Sequence, residues 1–397
     1  MSWSDAVSGD GATDAEWVRA CRAQLPALHT ETYLNTGGAG PLPLVAVDAM
    51  RAMLDVQGAR GRMSARAVDE SRERQDRLRA AAGAVVGRPG TEVAIAQSST
   101  HGMNVVIWGL ELAPGDEVLT TGMEHPGLAV PLARACAASG ATLRVLDVGD
   151  GAGDLRGLVG DACTARTRLV ALSHVSWLTG AVLDVAGAAA AARDVGALVL
   201  VDGAQAAGAV PVDPVALGVH AYAFPAQKWL LGPEGLGALW VDPAAMGRIA
   251  PVFSGYETGT DHGWDGSVVM HPDARRFEAS TEPEILLAGW TASLEWLAGL
   301  GWPRVHAATA GAAARCRAAL DALPGVVLDP PLMAGSGLVA FRVPGVASDV
   351  AAMQLADAGV IVRPLPEPGG LRASCGFFTD DDDIRRLTEV LAALAPC

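Results

Sequence analysis

Between residues 92 and 241, short apolar runs rich in β-branched residues alternate with stretches of helical periodicity. Several of these runs are continuously apolar, which is typical of strands buried on both faces. Strands that alternate with helices form a mainly parallel sheet covered by helices on both sides. The chain is therefore predicted to be an α/β protein with a mainly parallel seven-stranded sheet. The predicted strands are 92–96, 117–120, 142–147, 168–173, 197–202, 220–224 and 237–241.

The pattern changes after Asp242. Residues 251–283 are polar and Gly-rich and predict long loops, and a long helix is predicted over 284–300. Short strands and further helices follow, which predicts a smaller α+β domain. We predict this division of the chain: a flexible N-terminus over 1–14, a large domain over 15–285 whose N-terminal segment packs partly on the small domain, and a small C-terminal domain over 286–397.

The composition excludes several classes of protein. The chain has 29 Lys and Arg against 44 Asp and Glu, a formal net charge of −15. Nucleic-acid and membrane-surface binders need clustered cations, so neither partner is expected. The six cysteines lie far apart without a CxxC motif, and no metal site or disulfide framework is predicted. With no signal peptide and no apolar run of about 18 residues, a cytoplasmic enzyme is expected.

Lys228 is the one lysine among the 29 basic residues, and the other 28 are arginines. In a composition so biased toward arginine, a retained lysine indicates a position that needs an amine. A lysine amine can lose its proton and attack a carbonyl, whereas a guanidinium cannot. Lys228 follows a predicted strand and lies among Phe224, Trp229 and Leu230, which should desolvate the amine and favour its nucleophilic form. An ordinary anchoring lysine is the alternative.

Polar residues follow three other predicted strands. Asp202 ends an apolar strand and could keep a pyridine nitrogen protonated, or could cap a helix. The turn with Ser99, Thr100 and His101 offers backbone N–H groups and hydroxyls to a phosphate, although many such turns only cap helices. His125 could stack on an aromatic cofactor or relay protons, or could be an ordinary turn residue.

These four loops should converge, because the C-terminal ends of parallel strands lie at one edge of a sheet. Together they offer an amine, a partner for a ring nitrogen, a phosphate cradle and a flat stacking group. Pyridoxal 5′-phosphate (PLP) needs this combination. PLP is therefore the predicted cofactor.

Six spaced motifs extend this prediction. They are YLNTGGAGPLP (33–43), EHPG (124–127), SHVSWLTG (173–180), VDGAQAAG (201–208), KWLLGPEGLG (228–237) and RFE (276–278). In this order the motifs resemble the fold-type I PLP enzymes of the class V aminotransferase and cysteine desulfurase superfamily. Within it, the chain is most similar to the cysteine/cystine C–S lyase branch. The resemblance extends from Tyr33 to about Leu394 and implies that the large domain binds PLP.

The resemblance implies roles for the matching cofactor residues. Lys228 would carry the cofactor, Asp202 would pair with the pyridinium nitrogen, Gln205 would donate to the ring hydroxyl, and His125 would stack on the ring. The family forms dimers with active sites at the subunit interface, so a homodimer is expected. The implied phosphate-binding residues are Ser99, Thr100, His101, Gln227 and, from the neighbouring subunit, Thr281.

The resemblance also implies an amino-acid substrate. Arg372 would bind the substrate α-carboxylate by a two-pronged hydrogen bond, with help from Arg363 and the Asn35 loop. Trp177 would shape the pocket.

Three positions depart from the family pattern. Pro225 and Gln227 replace a Ser or Thr and a His that bind the phosphate, and Pro225 cannot donate a hydrogen bond. Leu178 replaces a polar residue of the lyase branch.

The reaction is inferred from a missing cysteine. A persulfide-forming desulfurase needs a mobile nucleophilic cysteine in the loop 363–372, which contains none, and Cys375 lies in a predicted buried strand. Elimination of a sulfur leaving group from Cβ needs no enzyme cysteine. The predicted function is therefore PLP-dependent C–S β-elimination on a cysteine, cystine or cysteine S-conjugate substrate. It would yield a sulfur product and aminoacrylate, which hydrolyses to pyruvate and ammonia.

Other functions on this scaffold stay open from the sequence alone. A class V aminotransferase must reprotonate the cofactor carbon and accept a second substrate. An amino-acid epimerase needs an acid on the opposite face of the ring. A non-catalytic ligand-binding relative is the remaining alternative, although the retained Lys228 argues against it.

Overall fold

The computed structural model describes residues 13–330, 335–366 and 369–394, so the predicted flexible segment 1–14 lies almost wholly outside the described residues. The helices are α1 (Asp14–Arg22), α2 (Leu44–Ala59), α3 (Ala65–Val85), α4 (Ser99–Gly109), α5 (Pro126–Ser139), α6 (Leu155–Ala162), α7 (Val185–Asp194), α8 (Pro214–Leu217), α9 (Glu284–Leu300), α10 (Trp302–Asp321), α11 (Ser348–Asp357) and α12 (Asp381–Leu394). Within the described ranges, none of these helices has the length and apolar character needed to cross a membrane.

The strands fall into one large sheet and several small ones. They are β1 (Thr32–Tyr33), β2 (Val93–Ala96), β3 (Glu117–Thr121), β4 (Thr142–Leu146), β5 (Thr167–Ser173), β6 (Leu198–Asp202), β7 (Ala221–Pro225), β8 (Gly237–Val241), β9 (Gly259–His262), β10 (Val268–Met270), β11 (Val327–Leu328), β12 (Leu338–Arg342), β13 (Val360–Ile361), β14 (Arg363–Pro364) and β15 (Leu371–Ser374).

The large sheet has seven strands in the order β2-β8-β7-β6-β5-β3-β4. Strands β3 to β7 pair in parallel, and β8 runs antiparallel to both β7 and β2. All seven predicted strands are present with their ends within one residue of the prediction. The predicted α/β fold with a mainly parallel seven-stranded sheet is thus confirmed.

Continuous apolar strands are needed here because both faces of the sheet are buried. In β6, Val199 and Val201 point into one core cluster, whereas Leu198 and Leu200 point into another. This alternation follows from the two-residue period of a strand. Full burial of such a side chain stabilises the fold by about 1.5–3 kcal/mol, so both layers of helices are held firmly on the sheet.

The C-terminal part forms a second sheet. Strands β11-β12-β15-β14 are antiparallel and share a separate core with α10, α11 and α12. The N-terminal strand β1 pairs in parallel with β13, which ties the start of the chain to this region. Trp290 and Leu294 of α9 pack in the core of the large sheet. The exact division at residues 285 and 286 stays a prediction.

The segment 251–283 was predicted to be only loops, and this is wrong in part. Strands β9 and β10 form a short antiparallel hairpin within it. The hairpin closes through Gly263, whose N–H donates to the Ser267 carbonyl at 2.8 Å, and through Gly266, whose φ is +87°. The sequence prediction failed because β9 is polar and both strands are short and lie largely at the surface, so no alternation of apolar and polar residues marks them.

Candidate active site

Five loops of the large sheet meet at the C-terminal ends of its parallel strands. Trp177 and the predicted cofactor residues other than Thr281 lie at or shortly after the ends of β2, β3, β5, β6 and β7. In β5 and β6, Ser173 and Asp202 are register partners, so their side chains lie side by side. A Cβ built on Gly127 would lie 2.5 Å from Thr100 Oγ1, so the loops after β2 and β3 also touch. The structure therefore brings these loops together, as predicted from the sequence.

Lys228 is partly buried in the turn after β7. Burial lowers the pKa of its amine to about 8, Asp202 opposes this shift, and Arg372 and Arg363 add to it. Leu231, which follows in the turn, has a φ of +52°, a conformation that costs a non-glycine residue energy. Its N–H donates to the Lys228 carbonyl at 3.1 Å. The turn thus holds an amine that can lose its proton near neutral pH.

Asp202 ends β6 in a buried position, 5% exposed. Its Oδ1 accepts a hydrogen bond from the Ala204 N–H at 2.9 Å. Burial raises the pKa of the carboxyl, while Lys228 and the Ala204 hydrogen bond lower it. The buried carboxylate is therefore suited to a cationic ring partner, which would favour its charged form.

His125 caps the N-terminus of helix α5 and is partly buried. Its Nδ1 accepts a hydrogen bond from the Gly127 N–H at 3.0 Å. Burial, together with Lys228, Arg363 and Arg372, lowers its pKa to about 4. At neutral pH the ring is therefore neutral and carries its proton on Nε2. Trp177 meets this ring edge-on, with centroids 4.9 Å apart.

The turn after β2 begins helix α4. Ser98 Oγ accepts from the His101 N–H at 3.1 Å, and His101 Nδ1 accepts from the Gln97 N–H at 3.1 Å. Ser99 and Thr100 occupy the first helical positions, where free backbone N–H groups favour a phosphate. The geometry is suited to a phosphate cradle.

Arg372 lies on β15, directly opposite Arg363 of β14. It is 2% exposed, and its Nη1 donates to the Trp177 carbonyl at 2.6 Å. Burial and the neighbouring Arg363 lower its pKa to about 9. None of the ion pairs among the described residues includes its guanidinium. A buried cation of this kind is suited to an anionic ligand.

Several buried polar atoms around this site have no hydrogen-bond partner among the described residues. They are Asn35 Oδ1, Trp177 Nε1, Gln227 Oε1, Arg372 Nε and Ser374 Oγ. Buried polar groups in native proteins are almost always paired, so such a concentration marks a ligand site. Donors, acceptors, a desolvated amine and a buried acid together fit PLP and an amino-acid carboxylate.

Gln205 and Thr281 are two further residues of the predicted site. Gln205 is buried, and its Nε2 donates to the Gly37 carbonyl at 2.8 Å, which leaves one amide hydrogen for a ring hydroxyl. Thr281 is exposed, and within the part of the chain that the structure describes no hydrogen bond or ring contact links it to the site. Its predicted role across a subunit interface stays a prediction.

Sequence reasoning assigned no role to three buried residues beneath the site. Glu124 accepts from the hydroxyls of Thr121 and Ser173, each at 2.6 Å. His174 Nδ1 lies 2.9 Å from the hydroxyl of Tyr222, and both side chains are buried. The available signal was a polar residue within an apolar strand, as for Tyr222, or shortly after one, as for Glu124 and His174.

A seven-stranded, mainly parallel sheet that collects a desolvated lysine and a buried aspartate at its C-terminal edge defines the PLP enzymes of fold type I. The family comparison agrees: residues 32–387 match the model described as "Aminotransferase class-V". The chain belongs to the class V aminotransferase family. This confirms the family expected from the sequence and, with it, PLP as the cofactor of the enzyme.

Three similar proteins illustrate the range of the family. A "Probable cysteine desulfurase" from Pseudomonas aeruginosa is 32% identical and covers 89% of this chain and 91% of its own. An "Isopenicillin N epimerase" from Amycolatopsis lactamdurans is 32% identical over 96% of this chain and 98% of its own. A solved structure of "the cystine C-S lyase C-DES" with cysteine persulfide is 32% identical, with a TM-score of 0.90, and covers 94% of this chain and 100% of its own.

Proposed function

We propose that the protein is a PLP-dependent C–S lyase. It would eliminate the sulfur substituent from Cβ of a cysteine, cystine or cysteine S-conjugate substrate, giving aminoacrylate, which hydrolyses to pyruvate and ammonia. The observation that carries the proposal is Arg372, a buried guanidinium without a carboxylate partner among the described residues, which is close enough to the desolvated Lys228 to lower the pKa of its amine. The likeness to a solved cystine C–S lyase at 32% identity supports the same reaction.

Arg372 and Arg363 would bind the substrate carboxylate. Both cations lower the pKa of Lys228, so the three groups are close enough to interact. A carboxylate bound by two N–H donors of one guanidinium has a fixed orientation, and this would direct its Cα toward the lysine. Asn35 forms an isolated β-bridge with Ser374, the last residue of β15, and would complete the carboxylate site.

Lys228 would take the proton from Cα. A pKa of about 8 leaves a usable fraction of free amine at neutral pH and makes the amine an effective base. When bound, PLP supplies an electron-withdrawing ring, and Asp202 would keep the ring nitrogen protonated. The freed electrons can then expel a sulfur anion from Cβ.

His125 is a poor candidate for a second acid or base. Its Nδ1 is already an acceptor for the Gly127 N–H, and its cationic form is disfavoured by burial and by three nearby cations. An epimerase needs proton-transfer groups on both faces of the ring. The state of His125 therefore favours elimination, in which one base is enough, and we assign it a stacking role.

The cysteines do not favour the desulfurase reaction. The loop 363–372 has no cysteine. Cys375 follows β15, is fully buried, and its pKa is raised well above the ordinary value, chiefly by its hydrogen bond with Cys316 and by burial. A thiol of this kind is inert, so the described residues offer persulfide transfer no reactive cysteine near the loop 363–372.

Epimerisation is the second candidate, because a relative named "Isopenicillin N epimerase" covers nearly the whole chain. Incubating the PLP-loaded protein with L-cystine, L-cysteine and S-substituted cysteines should release pyruvate and a sulfur product. Lys228→Ala should abolish this release. Loss of optical activity from an amino acid without pyruvate formation would overturn the lyase proposal in favour of epimerisation.

A further inference from the structure

Trp229, the residue after the candidate catalytic lysine, contacts residues next to both the large sheet and the C-terminal sheet. Its indole is 3% exposed, and its Nε1 donates to Gln205 Oε1 at 3.0 Å. The opposite edge of the indole packs on Gly337, where a built Cβ would lie 2.5 Å from Trp229 Cη2. The Gly337 carbonyl accepts from the Cys375 N–H at 2.8 Å, directly after the strand that carries Arg372.

An amide side chain can bind in two orientations that differ by exchange of oxygen and nitrogen. An indole N–H can only donate, so it specifies the oxygen of Gln205 at that end. The Gly37 carbonyl can only accept, and it takes one hydrogen of Gln205 Nε2 at 2.8 Å. The remaining Nε2 hydrogen is then available to a ligand. The donor at one end also polarises the amide and strengthens the N–H at the other.

We propose that Trp229 is a positioning residue that acts through Gln205. Its indole N–H fixes and polarises the Gln205 amide so that an N–H, and not a carbonyl, faces the ring hydroxyl of PLP. The inference rests on the proposed placement of PLP against Gln205 and Lys228. It goes beyond that placement, because Trp229 need not touch the cofactor.

This role can be measured through the pH at which half of the bound cofactor has changed its visible absorbance, which is called the midpoint below. An N–H donated to the ring oxygen would stabilise its negative charge, so a proton held between this oxygen and the Lys228 nitrogen would be lost at a lower pH. Loss of the donor should therefore raise the pH at which the visible absorbance of the bound cofactor changes. For Gln205→Ala we expect a rise of about one pH unit, the size of one hydrogen bond to a charged group.

The decisive variant is Trp229→Phe, which keeps an aromatic ring but lacks the N–H. We expect its midpoint to rise by at least about half as much as that of Gln205→Ala. The double variant Trp229→Phe with Gln205→Ala should show the Gln205→Ala midpoint and no further rise. Equal midpoints in Trp229→Phe and the parent protein, or additive shifts in the double variant, would overturn the proposal.

Two matched variants separate the hydrogen bond from packing. Trp229→His loses the ring edge that packs on Gly337 but can place an Nε2–H where the indole N–H lies, so its midpoint should stay at the parent value. Trp240→Phe removes another buried indole N–H, which donates to Glu92 at 2.8 Å away from this site. It should lower the melting temperature without moving the midpoint.

These controls also keep the test interpretable. If Trp229→Phe does not fold, Trp229→His still decides, because a midpoint raised as in Gln205→Ala would contradict the proposal. Failure of the PLP assignment gives a different result, since the parent protein supplied with PLP would then show no visible absorbance band at all.

Discussion

At the scale of single residues, the site is a set of charged groups held away from water. Burial lowers the pKa values of Lys228, Arg372 and His125 and raises the pKa of Asp202. In all four groups the shift favours the neutral form. In a protein of net charge −15, this pocket gathers cations. The arrangement is suited to anionic substrates, because a bound carboxylate or phosphate would offset the cost of burying these groups.

Arg372→Lys tests the two-pronged hydrogen bond to the substrate carboxylate. Lysine retains the charge but offers a point donor in place of the planar fork. Loss of one charged hydrogen bond corresponds to about 10- to 100-fold in binding, so KM should rise by about this factor while kcat changes less. Steady-state kinetics with L-cystine measure it. The exposed Arg363→Lys should have a smaller effect, and equal KM values in Arg372→Lys and the parent protein would contradict the assignment.

Glu124→Gln tests the buried carboxyl beneath the site. Burial raises the pKa of Glu124 to about 7 from an ordinary value of 4.5. A raised pKa means that its contribution to stability is complete below pH 4.5 and is lost as the pH rises through 7. The free energy of unfolding should therefore fall by up to about 3 kcal/mol between pH 5 and pH 8 because of this group. Glutamine can keep both hydroxyl contacts and should abolish that loss.

Denaturant unfolding of both proteins at the two pH values measures the difference. Glu92→Gln is the matched control, because Arg88 lowers the pKa of Glu92 and its contribution has the opposite sign. That variant should keep the loss at high pH. The same pH dependence in Glu124→Gln and the parent protein would show that Glu124 is not the responsible group.

At the scale of elements, the parallel strands were predictable and the site contacts were not. Continuous apolar runs such as β6 follow from burial on both faces, a property local to each strand. The orientation of the Gln205 amide depends on Trp229 and Gly37, which lie far apart in the chain from each other. Such contacts are set by tertiary packing, so no local pattern predicts them.

The loop 33–40 is the element whose close packing matters most for the site. The Gly40 N–H donates to the Gln227 carbonyl at 2.6 Å. A Cβ built on Gly40 would lie 2.3 Å from the Lys228 carbonyl oxygen, which is closer than any side chain tolerates. Gly40→Ala must therefore displace either the loop or the lysine turn.

We expect Gly40→Ala to lower kcat/KM by more than about tenfold, since small displacements of a catalytic group are costly. Gly58→Ala is the control, because a Cβ built on Gly58 in α2 meets nothing within 4 Å. It should leave kcat/KM unchanged and stabilise the helix by about 0.5–1 kcal/mol. Kinetics and thermal melting of both variants measure this, and parent-like kinetics in Gly40→Ala would refute the close contact.

At the scale of the whole molecule, the segment 251–283 presents apolar side chains to solvent. Phe253 is 43% exposed, Tyr256 73%, Val269 59%, and Trp264 is fully exposed. Phe253 meets His101 of the phosphate turn with centroids 6.4 Å apart, so this surface is continuous with the site. Thr281 follows in the same segment. We propose that a second copy of the chain covers these side chains and brings its own Thr281 to the phosphate turn.

We therefore expect the protein to be a homodimer whose interface includes this segment. Replacing Tyr256 and Trp264 with serine should weaken association, because large aromatic side chains at the centre of an interface provide much of its binding free energy. Sedimentation should show the parent protein as a dimer and the double variant shifted toward the monomer. Val145→Ser, at an exposed position on the edge strand β4, should remain dimeric. A loss of cofactor affinity that follows dissociation in parallel would connect the dimer to the phosphate site, whereas a monomeric parent protein would contradict the expectation.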